Sequence, residues 1–194
     1  MKKKEAPKLD RDLLKDQVFL NIAKELMRMG TCTHLKVGAV LVKDGRIIST
    51  GWNGNPKGMP HCDDIGCTVD KTGHCISTLH AELNAVVWAA RAGVPIDGSV
   101  LYTTDYPCYQ CTKIILASGI KRVCYLRDYG TKESVERIIG LFAKAGIVLD
   151  QYVKRGTFEG LDSIVSFDWI EVPEGKVVGE VYIRGRQVDS SGRL

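Results

Sequence analysis

The sequence predicts an α/β protein in which helices cover both faces of a mostly parallel sheet. Two observations carry this prediction. Helical segments regularly separate short apolar strands, and the Asp44-Gly45 step joins two of those strands in a tight hairpin. A chain of 194 residues is long enough for one domain with its own core. We expect that domain at residues 12–152, between a flexible N-terminus at 1–11 and a C-terminal extension at 153–194.

Hydrophobic periodicity places each element of the domain. The first helix has apolar residues at helical spacing and ends at Gly30, a natural stop. Past Tyr152 the pattern changes, and a β-hairpin is predicted around Pro173-Glu174-Gly175. The predicted elements in chain order are helix 12–29, strands 37–42 and 46–52, helix 79–92, strand 99–103, helix 109–118, strand 122–126, helix 132–145 and strand 147–150.

Composition indicates a soluble globular protein of the cytosol. Hydrophobic residues make up 44% and charged residues 26%, and no apolar run approaches the roughly 20 residues that span a bilayer. The N-terminal lysines are not followed by the apolar core of a signal peptide. The net charge of +4 includes no basic stripe with interleaved aromatics, which argues against a dedicated nucleic-acid binder. Seven cysteines in a reducing compartment indicate metal ligands or catalytic groups rather than disulfides.

Two short motifs carry the chemistry. His80-Ala81-Glu82 opens a predicted helix, and Pro107-Cys108-Tyr109-Gln110-Cys111 lies where a strand meets the next helix. Together they supply an imidazole and two thiolates, a donor set that Zn²⁺ prefers, and they leave a fourth position open for water. A helix N-terminus favours the anionic form of the thiols. The sequence therefore predicts a catalytic zinc held by His80, Cys108 and Cys111.

Glu82 is the predicted catalytic residue. It lies two residues beyond His80, close enough to take a proton from the zinc-activated water and to pass it to a substrate nitrogen and then to a departing amine. The alternative is a closed structural zinc with a fourth cysteine, for which Cys124 is the candidate. Cys124 lies on a predicted buried strand, where a small core residue is the expected role. A purely structural zinc has no use for the carboxylate.

The combination of H-x-E and P-C-x-x-C is the known signature of zinc nucleobase deaminases. The sequence resembles the deoxycytidylate deaminase family of the cytidine deaminase-like superfamily from about Val18 to Tyr152. The matching segments are Lys36-Val37-Gly38-Ala39-Val40, Gly51-Trp52-Asn53-Gly54, His61-Cys62-Asp63-Asp64, His80-Ala81-Glu82-Leu83-Asn84-Ala85 and Ser118-Gly119-Ile120-Lys121-Arg122-Val123. The resemblance implies a three-layer α/β/α sandwich with a five-stranded mixed sheet. It also implies hydrolytic deamination of dCMP to dUMP and ammonia, supplying thymidylate synthesis, by a homo-oligomer between dimer and hexamer.

The resemblance also implies substrate contacts. Asn53 is expected to bond the sugar hydroxyl or the base edge, and the backbone at Ala81 and Pro107 to read the pyrimidine. Tyr106 and Tyr129 either border the base and sugar or are ordinary residues of the pocket rim. A monophosphate needs cationic donors or a helix N-terminus. The cationic candidates, each of which also fits an ordinary solvated charge, are Lys36, Lys57, Arg127 and Lys132.

A second metal and a regulator are further expectations. The irregular stretch 53–78 is rich in His and Cys, and several relatives carry a second, structural zinc in such a loop. The expected ligands are Cys32, Cys62, His74 and Cys75, with Cys67 as a substitute, and the alternative is free or incidentally buried cysteines. His34 is expected to be a surface or packing residue. Family members are often regulated by dCTP and dTTP near the Gly51–Gly54 turn, and Mg²⁺ would accompany such a triphosphate.

Two other functions stay open on the sequence alone. One is deamination of another nucleobase or nucleoside, such as adenosine in tRNA, which requires a basic surface for a single strand beside the pocket. The other is a non-catalytic deaminase-like module that binds a partner. The expected ligand is a small pyrimidine nucleotide, with neither a membrane nor a nucleic acid as partner.

Overall fold

The computed structural model describes residues 11–71 and 73–152. The N-terminus and the predicted C-terminal hairpin lie outside the described residues. The described elements, in chain order, are α1 (Arg11–Met27), β1 (Gly38–Lys43), β2 (Arg46–Trp52), α2 (Cys62–Ile65), α3 (Ala81–Arg91), β3 (Val100–Asp105), α4 (Tyr109–Ala117), β4 (Arg122–Arg127), α5 (Lys132–Ala145) and β5 (Val148–Gln151).

The five strands form one sheet in the order β2-β1-β3-β4-β5. Strand β1 runs antiparallel to both of its neighbours, whereas β3, β4 and β5 are parallel to one another. The mixed five-stranded sheet is therefore confirmed. Because β1 is antiparallel to both neighbours, the strands β2, β3, β4 and β5 all run in one direction and β1 alone of the five is reversed. The hairpin turn has positive φ at both Asp44 (50°) and Gly45 (72°), as a tight turn that matches strand twist requires.

Alternation along the strands sends side chains into two cores. On one face Ala39, Leu41 and Val123 pack with buried residues of α3, α4 and α5, including Ile115 and Phe142. The opposite core faces α1, and its members are Leu20, Ala23, Val40, Val42, Tyr102 and Cys124. The sheet is thus the middle layer of the predicted α/β/α sandwich. Cys124 is buried in the α1 core, away from the two groups of metal-ligand side chains described below.

The boundaries of the helices follow local chemistry. Thr131 caps α5 by accepting the Ser134 amide at 3.3 Å, and Gly146 ends the helix in the left-handed conformation with φ of 66°. The four-residue helix α2 was not predicted, since a single turn is too short to show a period. None of the helices in the described part of the chain is both long and apolar enough to cross a bilayer.

Candidate active site

His80 is placed by the contact between β2 and the start of α3. It is the residue immediately before α3, and an antiparallel bridge pairs its neighbour Leu79 with Gly54, with N–O distances of 2.9 and 3.2 Å. The helix approaches β2 closely at Gly51, where an added Cβ would lie 2.2 Å from the Ala81 carbonyl oxygen. Only glycine permits that approach. The sequence of β2 therefore determines where the imidazole lies.

Cys108 and Cys111 come from the junction between β3 and α4. Strand β3 ends at Asp105, Tyr106 and Pro107 are buried, and Cys108 is the residue before the helix. Thr112 bonds the Cys108 carbonyl through its amide at 2.8 Å and its hydroxyl at 3.0 Å, which holds the first turn. The first helical turn also presents unpaired N–H groups that favour negative charge on sulfur.

The three donors are close enough to share one ion. His80 Nδ1 lies 3.4 Å from both Cys108 Sγ and Cys111 Sγ, and all three atoms lie within 4.8 Å of one another. A tetrahedral zinc with bonds of about 2.0–2.1 Å to nitrogen and 2.3 Å to sulfur separates those donors by roughly 3.6 Å. The donor set and its spacing therefore fit zinc, with His80 bound through Nδ1.

The site lowers one thiol pKa and raises a carboxyl pKa. Hydrogen bonding from Cys111, aided by His80, lowers the pKa of Cys108 to about 4, and the same contact raises the pKa of Cys111. Glu82 is 5% exposed, and its burial raises the pKa of the carboxyl group to about 7. Glu82 lines the same cavity as His80 and Cys108, and its charge contributes to the raised pKa of Cys111. A group that gains and loses a proton near neutral pH thus lies beside the metal donors.

A cavity of about 360 Å³ opens onto the three donors. The described lining residues include no lysine or arginine. The histidines among them are His34, His74 and His80. His34, expected to be a surface or packing residue, is exposed and also borders the cavity, which it reaches through the irregular segment before β1. The other described lining residues are Cys32, Leu35, Val37, Asn53, Gly73, Cys75, Thr78, Glu82, Asp105, Tyr106, Cys108 and Tyr129.

Three of the five residues predicted to bind substrate line the cavity, and two do not. Tyr129 lines the cavity, and burial, then the nearby charge of Cys108, raises the pKa of its hydroxyl. Tyr106 also lines the cavity, but its hydroxyl donates to Val135 O at 3.3 Å and its ring meets Tyr125 edge-on. Asn53 also lines the cavity. Its side-chain oxygen accepts a hydrogen bond from the Val37 amide, and its side-chain nitrogen donates one to the Leu35 carbonyl. Ala81 and Pro107 are fully buried and are not among the lining residues.

The candidate phosphate ligands lie outside the described lining. Arg127 is held elsewhere, because its Nη2 donates to Asp105 Oδ2 at 2.6 Å and to Lys36 O at 3.3 Å. Lys132 approaches Glu136 at 3.9 Å on the surface of α5, and Lys57 is exposed. None of the four cationic candidates for binding phosphate is therefore among the described lining residues.

Four cysteines form two close pairs near the same cavity, and Cys32 and Cys75 line it. The Sγ atoms of Cys32 and Cys67 lie 3.6 Å apart, and those of Cys62 and Cys75 lie 3.8 Å apart. Cys32, Cys67 and Cys75 also have all three sulfurs within 4.8 Å of one another. Four sulfurs around one zinc lie roughly 3.8 Å apart. We call these four residues the cysteine cluster.

The expected ligands of the second metal are placed unevenly. Among the described residues, Cys67 joins Cys32 and Cys75 in one group of ligand atoms, and neither Cys62 nor His74 belongs to that group. Burial raises the pKa of Cys62 to about 12, while the Thr33 hydroxyl lowers the pKa of Cys67 to about 6. Cys67, the expected substitute, thus lies beside two of the four expected ligands, in a loop that the Val69–Cys75 bridge folds back on itself.

Comparison with known proteins agrees with this geometry. A family model, "Cytidine and deoxycytidylate deaminase zinc-binding region", matches residues 14–127. ComE operon protein 2 of Bacillus subtilis is 42% identical over 136 residues, which cover 70% of each chain. Deoxycytidylate deaminase of Enterobacteria phage T2 is 35% identical over 153 residues, covering 60% of this chain and 81% of the relative.

The solved structures give the same result. The dCMP deaminase from the cyanophage S-TIM5, in complex with dCMP and dUMP, has a TM-score of 0.62 and 30% sequence identity. The match covers 75% of this chain and 100% of that one. Its fold agrees with the five-stranded sheet and the helical layers found in this protein. The chain belongs to the cytidine and deoxycytidylate deaminase family, whose zinc-binding region it contains.

Proposed function

We propose that this protein deaminates dCMP to dUMP by adding water and releasing ammonia. The observation that carries the proposal is the buried Glu82 carboxyl beside three donors that fit zinc. Named relatives support the substrate, since the T2 phage enzyme is a deoxycytidylate deaminase and the S-TIM5 phage enzyme was solved with dCMP and dUMP. The cavity of about 360 Å³ is within the usual range for a small-molecule site.

Each residue of the site has a separate task in this reaction. When bound by His80, Cys108 and Cys111, zinc supplies a Lewis acid that lowers the pKa of a water molecule to about 7. Glu82 takes the proton that this water loses and delivers it to the ring nitrogen of the base. The water oxygen forms a bond to the carbon that carries the amine. Glu82 then takes the remaining proton of the added hydroxyl group and delivers it to the amine. The carbon–nitrogen bond breaks as the carbon–oxygen double bond forms, and ammonia leaves.

Burial makes Glu82 suited to that shuttle. A solvated glutamate has a pKa near 4.5 and stays ionised at neutral pH, whereas the pKa of Glu82 is about 7. Proton transfer is most efficient when the pKa of the carrier lies near the working pH. The carboxyl can therefore hold the proton between the two transfers without losing it to solvent.

We further propose that the cysteine cluster holds a second, structural zinc. Sulfur separations of 3.6 and 3.8 Å support a tetrathiolate site, and the loop that carries three of the cysteines has little packing of its own. Met59, Ile65 and Ile76 in and beside that loop are 59%, 66% and 62% exposed, so the loop needs another source of order. Free thiols at this position also support the proposed location in a reducing cytosol.

We also propose two properties that the resemblance to the family implies. One is a homo-oligomer of two to six chains, and the other is regulation by dCTP with Mg²⁺ and by dTTP. Sedimentation velocity measures the first. Activity on dCMP titrated with each triphosphate measures the second.

The test of the proposed function is ammonia release from four substrates. These are dCMP, dCTP, deoxycytidine and a tRNA anticodon stem-loop, each assayed with zinc-loaded protein. Activity on dCMP well above that on the other three supports the proposal. Activity on the stem-loop instead identifies a tRNA deaminase, and silence on all four identifies a binding module; either result overturns the proposal.

A further inference from the structure

The reacting groups and one wall of the cavity come from separate stretches of the chain. His80 immediately precedes α3, and Glu82 lies in the first turn of that helix. Three residues line the cavity from the segments before β1 and after β2, and we call them the cavity wall: Leu35, Val37 and Asn53. A base reacts only when it is held at the right distance from the metal donors and from Glu82. The contact between α3 and the end of β2 therefore affects whether a bound base is aligned.

The Asn84 side chain joins these two stretches. Its amide nitrogen donates to the Trp52 carbonyl at 2.7 Å, across 32 residues of chain. Trp52 is the last residue of β2, and Asn53 of the cavity wall follows it directly. The backbone amide of Asn84 also donates to His80 O at 2.8 Å, so the side chain projects from the helical turn that begins at the metal donor. One hydrogen bond thus connects the turn at His80 to the end of β2.

The cavity wall is held together by bonds that do not involve Asn84. The Asn53 side-chain oxygen accepts from the Val37 amide at 2.8 Å, and the Asn53 backbone amide donates to Val37 O at 3.2 Å. The Asn53 side-chain nitrogen donates to the Leu35 carbonyl. The wall can therefore keep its own shape when Asn84 is replaced, whereas its placement relative to α3 loses a bond.

A second bond between α3 and β2 provides a matched comparison. The Ser49 hydroxyl donates to Ala85 O at 2.7 Å, the same length as the bond from Asn84, and both bonds are partly buried. Ser49 lies within β2, four residues before Asn53, so its bond holds the helix on the strand without reaching the cavity wall. The two bonds should therefore contribute similarly to stability and differently to alignment.

We propose that Asn84 is a positioning residue for deamination, and that its side chain fixes the placement of Glu82 and the metal donors relative to the cavity wall. This inference rests on the proposed deamination of dCMP. Asn84 is not among the described lining residues, so it acts through Trp52 and α3. Loss of the bond should impair alignment for reaction more than binding of the nucleotide, and kcat should fall while KM changes little.

The test measures dCMP turnover in two Asn84 variants and one control. Asn84→Ala removes the donor with a residue that favours helix, and Asn84→Asp keeps the shape of the side chain without the N–H. In both variants we expect kcat to fall by roughly 10- to 100-fold with KM within about 3-fold of the wild type. Ser49→Ala should keep kcat within about 2-fold. Asn84→Ala and Ser49→Ala should each melt roughly 2–4 °C below the wild type, as for one hydrogen bond.

Hydrogen exchange gives a readout that needs no turnover. The Gly54 amide donates to Leu79 O at 3.2 Å, and the Leu79 amide donates to Gly54 O at 2.9 Å, so both amides lie close to the Asn84 bond in the chain. Their exchange should become about fivefold faster in the Asn84 variants, as for one lost hydrogen bond, and should not change in Ser49→Ala. Both Asn84 variants are measured, so that either one, once folded, decides the result.

The two readouts separate this inference from the proposed reaction. A kcat within about 2-fold of the wild type in the Asn84 variants overturns the inference, and so does an equal loss of kcat in Ser49→Ala, which would show a general effect of the contact between α3 and β2. A wild-type protein that is silent on dCMP overturns the proposed reaction. In that case the exchange rates decide about Asn84, and unchanged exchange at Gly54 and Leu79 overturns its positioning role.

Discussion

Arg122 holds Asp16 through two parallel hydrogen bonds of 2.8 Å, one from each terminal nitrogen of the guanidinium. Its third nitrogen, Nε, donates to Asp150 at 2.6 Å, and the Tyr102 hydroxyl donates to Asp16 at 2.9 Å. Side-chain exposure is only 23% for Arg122 and 6% for Asp16. One cation therefore ties α1, β4 and β5 together on the α1 side of the sheet.

Removal of Arg122 should destabilise the fold markedly. In Arg122→Leu, Asp16 keeps its burial and loses its counter-charge, and breaking such a pair typically costs about 3 kcal/mol. The free energy of unfolding, measured by urea denaturation, should fall by about that amount. Arg137→Leu breaks an exposed pair with Glu133 and should change stability by less than about 0.5 kcal/mol. Equal effects in the two variants would contradict the assigned role of the buried pair.

Glu82→Gln should abolish deamination and retain the metal. The amide keeps the shape of the carboxyl group but carries no proton between water, ring and amine, and loss of a general acid–base typically lowers turnover by about 10²- to 10⁴-fold. Zinc bound at His80, Cys108 and Cys111 should be unchanged by elemental analysis. Glu133→Gln alters an exposed carboxylate on α5 and should leave kcat unchanged. Near-normal turnover in Glu82→Gln would remove Glu82 from the mechanism.

The raised pKa of Glu82 also predicts a pH-dependent stability in the metal-free protein. The carboxyl has a pKa of about 7 in the folded chain and an ordinary value of 4.5 when it is solvated. It therefore favours the folded state fully below pH 4.5, and that contribution is lost as the pH rises through about 7. The glutamine of Glu82→Gln does not ionise. With chelator present, the free energy of unfolding of this variant should therefore rise relative to that of the wild type as the pH increases from 4.5 to above 7, by up to about 3 kcal/mol. A stability difference that stays constant from pH 4.5 to 8 would refute the pKa assignment.

Cys62→Ser should lower metal content and thermal stability together. Loss of one sulfur from the cysteine cluster removes a ligand of the proposed second zinc, and bound metal contributes directly to folding free energy. Zinc should fall from two equivalents per chain towards one, with a lower melting temperature. Cys124→Ala removes a buried thiol from the α1 core and should leave zinc content unchanged. Two equivalents of zinc retained in Cys62→Ser would exclude Cys62 as a ligand.

Gly51→Ala should weaken zinc binding and lower stability, although Gly51 is not itself a residue of the active site. The added Cβ would lie 2.2 Å from Ala81 O and 2.6 Å from the Ala85 amide, so α3 must shift and carry His80 and Glu82 with it. We expect a loss of stability of at least about 1 kcal/mol and weaker zinc binding, read by chelator competition. Gly140→Ala, in open space within α5, should instead stabilise by about 0.5–1 kcal/mol.

Local patterns were enough to locate most of the fold and the first metal site. Strand β2 and helix α5 have the predicted limits, because a hairpin turn and two helix caps mark them in the sequence. The donors at His80, Cys108 and Cys111 were predicted from two short motifs, and the structure brings their ligand atoms within 4.8 Å of one another. The family match to residues 14–127 confirms the resemblance on which the expected zinc chemistry depends.

The parts that were missed depend on distant pairings. The position of Cys67 beside Cys32 depends on a contact across 35 residues of chain. Asp105 lies beyond the predicted strand 99–103, and its ion pair with Arg127 depends on the pairing of β3 with β4, 22 residues later. The direction of β1 relative to β3 likewise depends on pairing across about 60 residues of chain, which no local period reports.

The separation of 28 residues between His80 and Cys108 has a consequence for how the protein matures. Neither the strand-to-helix junction at His80 nor the one at Cys108 carries a full set of donors, so a nascent or partly unfolded chain offers an ion only fragments of the site. Tight capture of zinc must await the docking of α3 and α4 on the sheet. Metal uptake therefore reports when the domain has assembled, and it commits the chain to the folded state at the moment when catalysis becomes available.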